Sequence, residues 1–312
     1  MAVPRGGLVW GSAYIAMDKR ATSGRRGLVF ERGCSQMVER NMEILLRFMA
    51  MLTIAILVVV VGFIAKEAFL PTPVTGGLQS DVSFSLISLV VDWLLVSFCA
   101  ILMAFPLGLL TALYITEIAS QPVAGALTAI FGVLAAIPSI IIGFIGVVIA
   151  ITRWGSDLPL SRIPMVGGVA LLLAIATFPS LVCSLLDRFS LVPPSFKAAS
   201  YALGASRWQT IRRTILPMVS PGTAAAGLMG FRRVLGETVI VLLISHGISQ
   251  SAGTTRPLAT IPVAMAYKAE IAAPGTSQYQ TIFALGLILL ATAYGLNHLA
   301  QRLMRLQGGE WE

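Results

Sequence analysis

The sequence predicts an all-α membrane protein, a six-transmembrane-helix bundle with both termini cytoplasmic. Three observations carry this. Of 312 residues, 56% are hydrophobic and 12% charged, with a mean hydropathy of +0.85; an average soluble domain is roughly 45–50% apolar and about 25% charged. Six apolar stretches approach the roughly 20 residues that a helix needs to cross about 30 Å of hydrocarbon: Phe48 to Ile64, Leu89 to Ile115, Val123 to Ile151, Val166 to Leu186, Gly222 to Ile244, and Thr281 to Ala300. The alternating ten-residue segments of a membrane β-barrel are absent. Finally, the basic residues fall in alternate connections. Arg5, Lys19, Arg20, Arg25, Arg26, Arg32, Arg40 and Arg47 precede the first span; Arg188, Lys197, Arg207, Arg212 and Arg213 lie between the fourth and fifth; Arg302 and Arg305 follow the sixth. With six spans these regions share one side, as the positive-inside rule requires. The formal charge of +8 is therefore a topology signal rather than a nucleic-acid footprint.

Residues 1–36 are rich in Gly, Arg and Ser without a sustained period and read as a disordered cytoplasmic tail ahead of a domain at 37–312. No signal-peptide pattern opens the chain. Cys34, Cys99 and Cys183 have no metal or redox spacing, and the last two read as small core residues. Asp92, near the outer end of the second span, is either an interfacial carboxylate or a buried partner for an arginine. Pro106-Leu107-Gly108 predicts a kink in that span, and Pro179 one in the fourth.

Pro138 stands near the middle of the uncharged third span in AAIPSIIIGFIG. It removes a backbone hydrogen bond and crowds the preceding turn, so a bend is expected there, either a packing kink or part of a gate. Ser139 and Gly143 offer a small face for close helix contact.

The segment 193–217 is the most specific part of the chain. After Pro193-Pro194, Ser195 is placed to cap a helix that runs to Leu203 and stops before Gly204, which suits a left-handed position. Ser206 and Gln209 form a Ser-x-x-Gln capping box for a second helix, closed by Leu216-Pro217. Phe196, Ala199 and Leu203 share one face; Trp208, Ile211 and Ile215 share another. Two short amphipathic helices make a compact knob, to be read as a docking surface or as a hairpin lying on lipid headgroups.

The fifth span carries Gly222, Ala226 and Gly230, four apart, as another small face, and then Arg232, Arg233 and Glu237. A charge at the centre of a membrane helix costs about 2.5–3.5 kcal/mol on insertion scales, so this cluster has to face protein or water. Arg233 and Glu237 lie one turn apart and can pair. One carboxylate cannot neutralise two guanidiniums, and the surplus suits an oxyanion, which Arg holds with paired hydrogen bonds. The alternative is an arginine pair locked to Asp92 or to a neighbouring subunit. Beyond it, Arg256 to Glu270 predicts a short outer helix or hairpin from near Pro257, and His298 marks the inner end of the sixth span.

KAASYALGASRWQTIRRTILP resembles the EAA loop of ABC-importer permeases, whose pattern is Glu-Ala-Ala, three residues, Gly and a closing Leu-Pro. Aligned on Gly204, the chain keeps Ala199, Leu216 and Pro217, with Ala198 at the usual Glu and Ser200 at the second Ala. AAIPSIIIGFIG, FRRVLGETVIVLL and EIAAPGTSQYQTIFALGLILL are similar to segments of the phosphate ABC-importer permeases, PstC more than PstA, a resemblance that covers Met37 to the C-terminus. Ile142 stands where that family often carries an aromatic residue. The resemblance implies the type I ABC-importer permease fold in the cell inner membrane. It also implies a partner permease (PstA-like), two ATPase subunits (PstB-like) and an extracytoplasmic phosphate-binding protein (PstS-like), with membrane lipids around the bundle and no nucleic acid.

The loop 193–217 is then the ATPase-coupling element, and Arg232, Arg233 and Glu237 line the substrate pathway. No Gly-Lys dipeptide occurs, so the chain has no P-loop. It is expected not to be an enzyme and to bind no cofactor, with ATP and Mg held by the partner ATPase; no metal motif or histidine triad is present. Inorganic phosphate is the expected cargo. The alternatives are another oxyanion (sulfate, molybdate or tungstate), or an ATP-independent channel or membrane enzyme.

Overall fold

A computed structural model describes residues 41–69, 86–154, 162–252 and 258–308. The tail 1–36, Pro71 to Ser83, Arg256 and Pro257 lie outside them. The chain divides into two units, Met1–Phe63 and Ile64–Glu312. In the first, the described residues belong to one apolar helix, α1 (Asn41–Phe69), of which residues 64–69 are counted with the second unit. On it, Glu43 and Arg47, one turn apart, form an ion pair.

The second unit is helical throughout its described residues: α2 (Leu86–Leu113), α3 (Gln121–Ala135), α4 (Ser139–Trp154), α5 (Arg162–Ser190), α6 (Pro194–Ala202), α7 (Arg207–Thr210), α8 (Leu216–Leu235), α9 (Val239–Ala252), α10 (Ile261–Ile271) and α11 (Ser277–Gly308). Two π turns interrupt the series, Tyr114–Ile118 after α2 and Ile211–Ile215 between α7 and α8. Among the described residues five continuous helices are long and apolar enough to cross a membrane, or six spans where the bent pair α3 and α4 is counted as one. The expected all-α membrane bundle is therefore what the chain forms.

The core is built around α5, which packs on α2, α3 and α8. Val96, Ala100 and Ala104 of α2 meet Leu173, Leu181 and Leu185 of α5 and Val219 and Ala226 of α8, all buried. Small residues set the spacing. A Cβ on Gly230 would lie 3.0 Å from Ile101 and 3.2 Å from Leu181, so the Gly222, Ala226 and Gly230 face does bring α8 close to its neighbours. Gly143 does the same where α4 crosses α9: its Cβ would lie 3.2 Å from the Cα of Ile240. Pro138 makes more than a bend, because α3 and α4 meet at 81°. Pro106 and Pro179, by contrast, sit inside the unbroken helices α2 and α5.

Several expected boundaries are displaced. The span placed at Gly222 to Ile244 is instead the continuous helix Arg207–Leu235, which ends before Gly236. Leu216-Pro217 therefore does not close the loop. The π turn Ile211–Ile215 precedes it, and Pro217, which has no N–H to satisfy, falls in the first turn of α8. Ser195 is not a cap either; the N-cap is Pro193, and Pro194 opens the helix. The outer helix α10 starts at Ile261, with Pro262 in its first turn and Thr260 as N-cap.

Candidate functional site

Two places on the second unit hold the residues singled out from the sequence. At the first, 193–217, the chain folds as two short helical segments around Gly204, whose φ of +80° is a left-handed conformation that costs a residue with a Cβ about 1–2 kcal/mol. The capping box is complete: Gln209 Oε1 accepts from Ser206 N at 2.8 Å, and Ser206 Oγ accepts from Gln209 N at 3.3 Å. Thr210 is fully buried; its hydroxyl lies 2.9 Å from that of Ser200. Of the coupling residues, Ala198, Ala199, Gly204 and Pro217 are exposed, and Ser200 and Leu216 are half-buried.

The expected faces divide differently. Ile211 and Ile215 bury in the bundle core, while Leu203, at 90% exposure, and Trp208, at 61%, point out with Phe196 and Tyr201. The knob thus presents an apolar and aromatic outer surface and is rooted by the isoleucines.

One contact here has no local sequence signal. Glu117, in the π turn after α2, is 6% exposed, and its Oε1 accepts from Lys197 Nζ of α6 at 2.6 Å. The partners are 80 residues apart. The hint was a carboxylate closing an otherwise apolar span.

At the second place, Arg232 and Arg233 occupy the last turn of α8. A cation there meets the partial negative charge of the helix C-terminus. The helix ends at Leu235 with Gly236 as its C-cap, whose N–H donates to Arg232 O, and the Leu235 carbonyl accepts from Trp93 Nε1 of α2 at 2.8 Å in a buried site. Glu237 then turns toward the following helix, its Oε1 accepting from Val239 N, the first residue of α9, at 3.2 Å. The expected pairing of Arg233 with Glu237 along one helix face is therefore not made. The helix breaks at Gly236 between them, and the carboxylate serves the α9 N-terminus instead. Both guanidiniums are exposed, and neither forms an ion pair with a described residue, Asp92 included. Among the described residues neither positive charge has a carboxylate partner. From Pro217 to Arg233 the helix climbs about 24 Å at 1.5 Å per residue, so knob and arginines sit at well-separated levels of one helix.

Among the described residues no cluster of His, Cys, Asp and Glu could hold a metal. His298 stacks on Tyr294 and accepts from Arg302 Nε at 3.1 Å on an exposed face of α11.

This architecture is that of a transporter's membrane subunit. A chain of a bacterial ABC transporter involved in the import of the acidic polysaccharide alginate shares the fold, with a TM-score of 0.57 at 20% identity, covering 83% of this chain and 95% of that one. A chain of the MetNI methionine ABC transporter does so at 0.50 and 19%, covering 71% and 93%. The chain belongs to the binding-protein-dependent transport system inner membrane components, whose family model matches residues 104–307. It is a multi-pass inner-membrane protein. Its relatives include the probable ABC transporter permease YqgH of Bacillus subtilis, 26% identical over 69% of this chain and 70% of that protein. The phosphate transport system permease PstC of Pasteurella multocida is 29% identical over 73% and 77%. PstA of Mycobacterium leprae is 33% identical, over 56% of this chain and 53% of its own length.

Proposed function

We propose that this chain is the permease subunit of an ATP-driven importer of inorganic phosphate, paired with a PstA-like permease on two PstB-like ATPases and fed by a PstS-like binding protein. The observation that carries the anion is the pair of uncompensated guanidiniums of Arg232 and Arg233 at the break between α8 and α9. Two charges with no described carboxylate partner, in a chain with so apolar a surface, call for water or an anion beside them. Guanidiniums bind tetrahedral oxyanions through paired N–H groups. Several relatives are phosphate transport permeases, which favours phosphate over other oxyanions.

ATP binding and hydrolysis belong to the partner ATPases. In this reading they close on the outer surface of the knob, where Leu203 and Trp208 are the anchors. Because α7 and the π turn run straight into α8, a displacement of the knob is delivered to the helix that bears the arginines. Access to the anion then alternates between the two sides of the membrane.

The test is Arg233→Ala in the reconstituted complex. Uptake of labelled inorganic phosphate should fall at least a hundredfold at saturating phosphate, with membrane insertion and ATPase association unchanged. Unchanged uptake would make the arginine structural. A channel or membrane enzyme would instead be active from this chain alone, without an ATPase.

A further inference from the structure

The helix α6 has no buried residue, although it is half of the knob. Apolar packing therefore gives it little hold on the bundle. Its ends are a proline in extended conformation, Pro193, and the left-handed Gly204. Polar contacts tie it down instead. Ser200 meets the buried hydroxyl of Thr210, within the knob itself. Lys197 reaches out of the knob to Glu117, at the end of α2.

The surroundings of Glu117 explain why it can receive that load. It sits in a π turn closed by a 2.9 Å bond from Ala119 N to Tyr114 O. Tyr114 and Ile118 point outward, whereas Ile115 and Glu117 are buried. The carboxylate is thus fixed by the backbone on the inner side of the helix end. Lys197, at 28% exposure, supplies its ion-pair partner. Covalently, the knob leads only to α5 and α8; the ion pair adds α2, which also supplies the Trp93 indole that bonds the last carbonyl of α8 close in sequence to the arginines.

We propose that Lys197 and Glu117 form a tie between α6 and α2 that makes coupling efficient: they are positioning residues through which knob displacement reaches α2 together with α8. This rests on the reading of 193–217 as the ATPase-coupling element. It adds that the ion pair, not only the chain connection, transmits the motion. Losing the tie would let α6 swing about Pro193 and Gly204, so that ATP is hydrolysed without matching movement of the bundle.

The experiment uses the complete complex of this chain with its partner permease, ATPases and binding protein, in proteoliposomes, reading labelled inorganic phosphate uptake and ATP hydrolysis together. Lys197→Met and Glu117→Gln should each lower phosphate taken up per ATP at least tenfold, with the ATPases still co-purifying. Lys197→Arg, which keeps the cation, should retain at least half of the wild-type ratio. The double variant Glu117→Gln/Lys197→Met removes both charges and leaves neither buried unpaired, so it guards against misfolding; it too should be uncoupled. A wild-type ratio in the double variant would overturn the proposal, reducing the pair to charge compensation. So would wild-type ratios in both single variants, or Lys197→Arg failing as Lys197→Met does. If the wild-type chain neither retains the ATPases nor couples, it is the coupling-element reading that fails.

Discussion

Gly143 offers the sharpest test of how α4 and α9 are held, and with them the break that frees the arginines. In Gly143→Ala the new Cβ would lie 3.1 Å from Leu243 Cδ1 and 3.2 Å from Ile240 Cα, where ordinary contacts are 3.4–4 Å. The leucine methyl can rotate away. The Ile240 Cα cannot, because Ile240 is fully buried and is the second residue of α9. The helices must separate by a few tenths of an ångström, and overpacking of this kind costs about 1–3 kcal/mol. Replacing glycine by alanine inside a helix returns roughly 0.5–1 kcal/mol. The net effect is a loss of about 1 kcal/mol. Gly132→Ala in α3 is the control, since nothing lies within 4 Å of its Cβ; it should gain the full roughly 0.5–1 kcal/mol. With about 2–4 °C per kcal/mol for a chain near this size, the two variants should differ by about 5 °C in the thermal midpoint of the detergent-purified protein, Gly132→Ala being the higher. Equal midpoints, or a higher one for Gly143→Ala, would refute the close crossing.

Three further outcomes follow from named contacts. Trp93→Phe leaves the buried Leu235 carbonyl without its donor, so the protein should lose about 1–3 kcal/mol; a thermal midpoint equal to wild type would mean that water or another donor replaces the indole. Leu203→Ala and Trp208→Ala should leave stability within about 0.5 kcal/mol, since both side chains point outward. If they anchor the ATPase, the double substitution should weaken its binding by about 2 kcal/mol or more, near thirtyfold, in a titration of detergent-purified components. Gly204→Pro should release the ATPase on purification, because proline fixes φ near −65° and the knob needs +80°; co-purification at the wild-type level would argue against a docking role.

Where the chain's own neighbours decide the structure, the sequence was readable. The Ser206 and Gln209 box, the left-handed Gly204, the sharp turn at Pro138 and the small faces around Gly143 and Gly230 follow from local sterics and hydrogen bonding. The errors have two sources, local signals passed over and contacts between distant segments. The helix end was marked locally: in LGETVIVLLIS, Gly236 stands just after the last residue of α8, and Glu237 and Thr238 interrupt the apolar run. That break separates the expected Arg233 and Glu237 pair, leaving both guanidiniums without an ion-pair partner among the described residues and Glu237 bonded to Val239 N. What no local signal showed is the indole 142 residues away that bonds the Leu235 carbonyl there. The partner of Glu117 was invisible for the same reason. Pro217 misled in the opposite direction. It looked like a stop, but the π turn before it placed it where a helix accepts proline.

The most direct measurement is uptake by proteoliposomes that hold this chain, its partner permease and the ATPases, with the binding protein outside and ATP within. Labelled inorganic phosphate should accumulate only with ATP and binding protein present. Unlabelled phosphate should compete, and equal concentrations of sulfate or molybdate should not. Accumulation without ATP, or uptake abolished by sulfate or molybdate and indifferent to phosphate, would contradict the account.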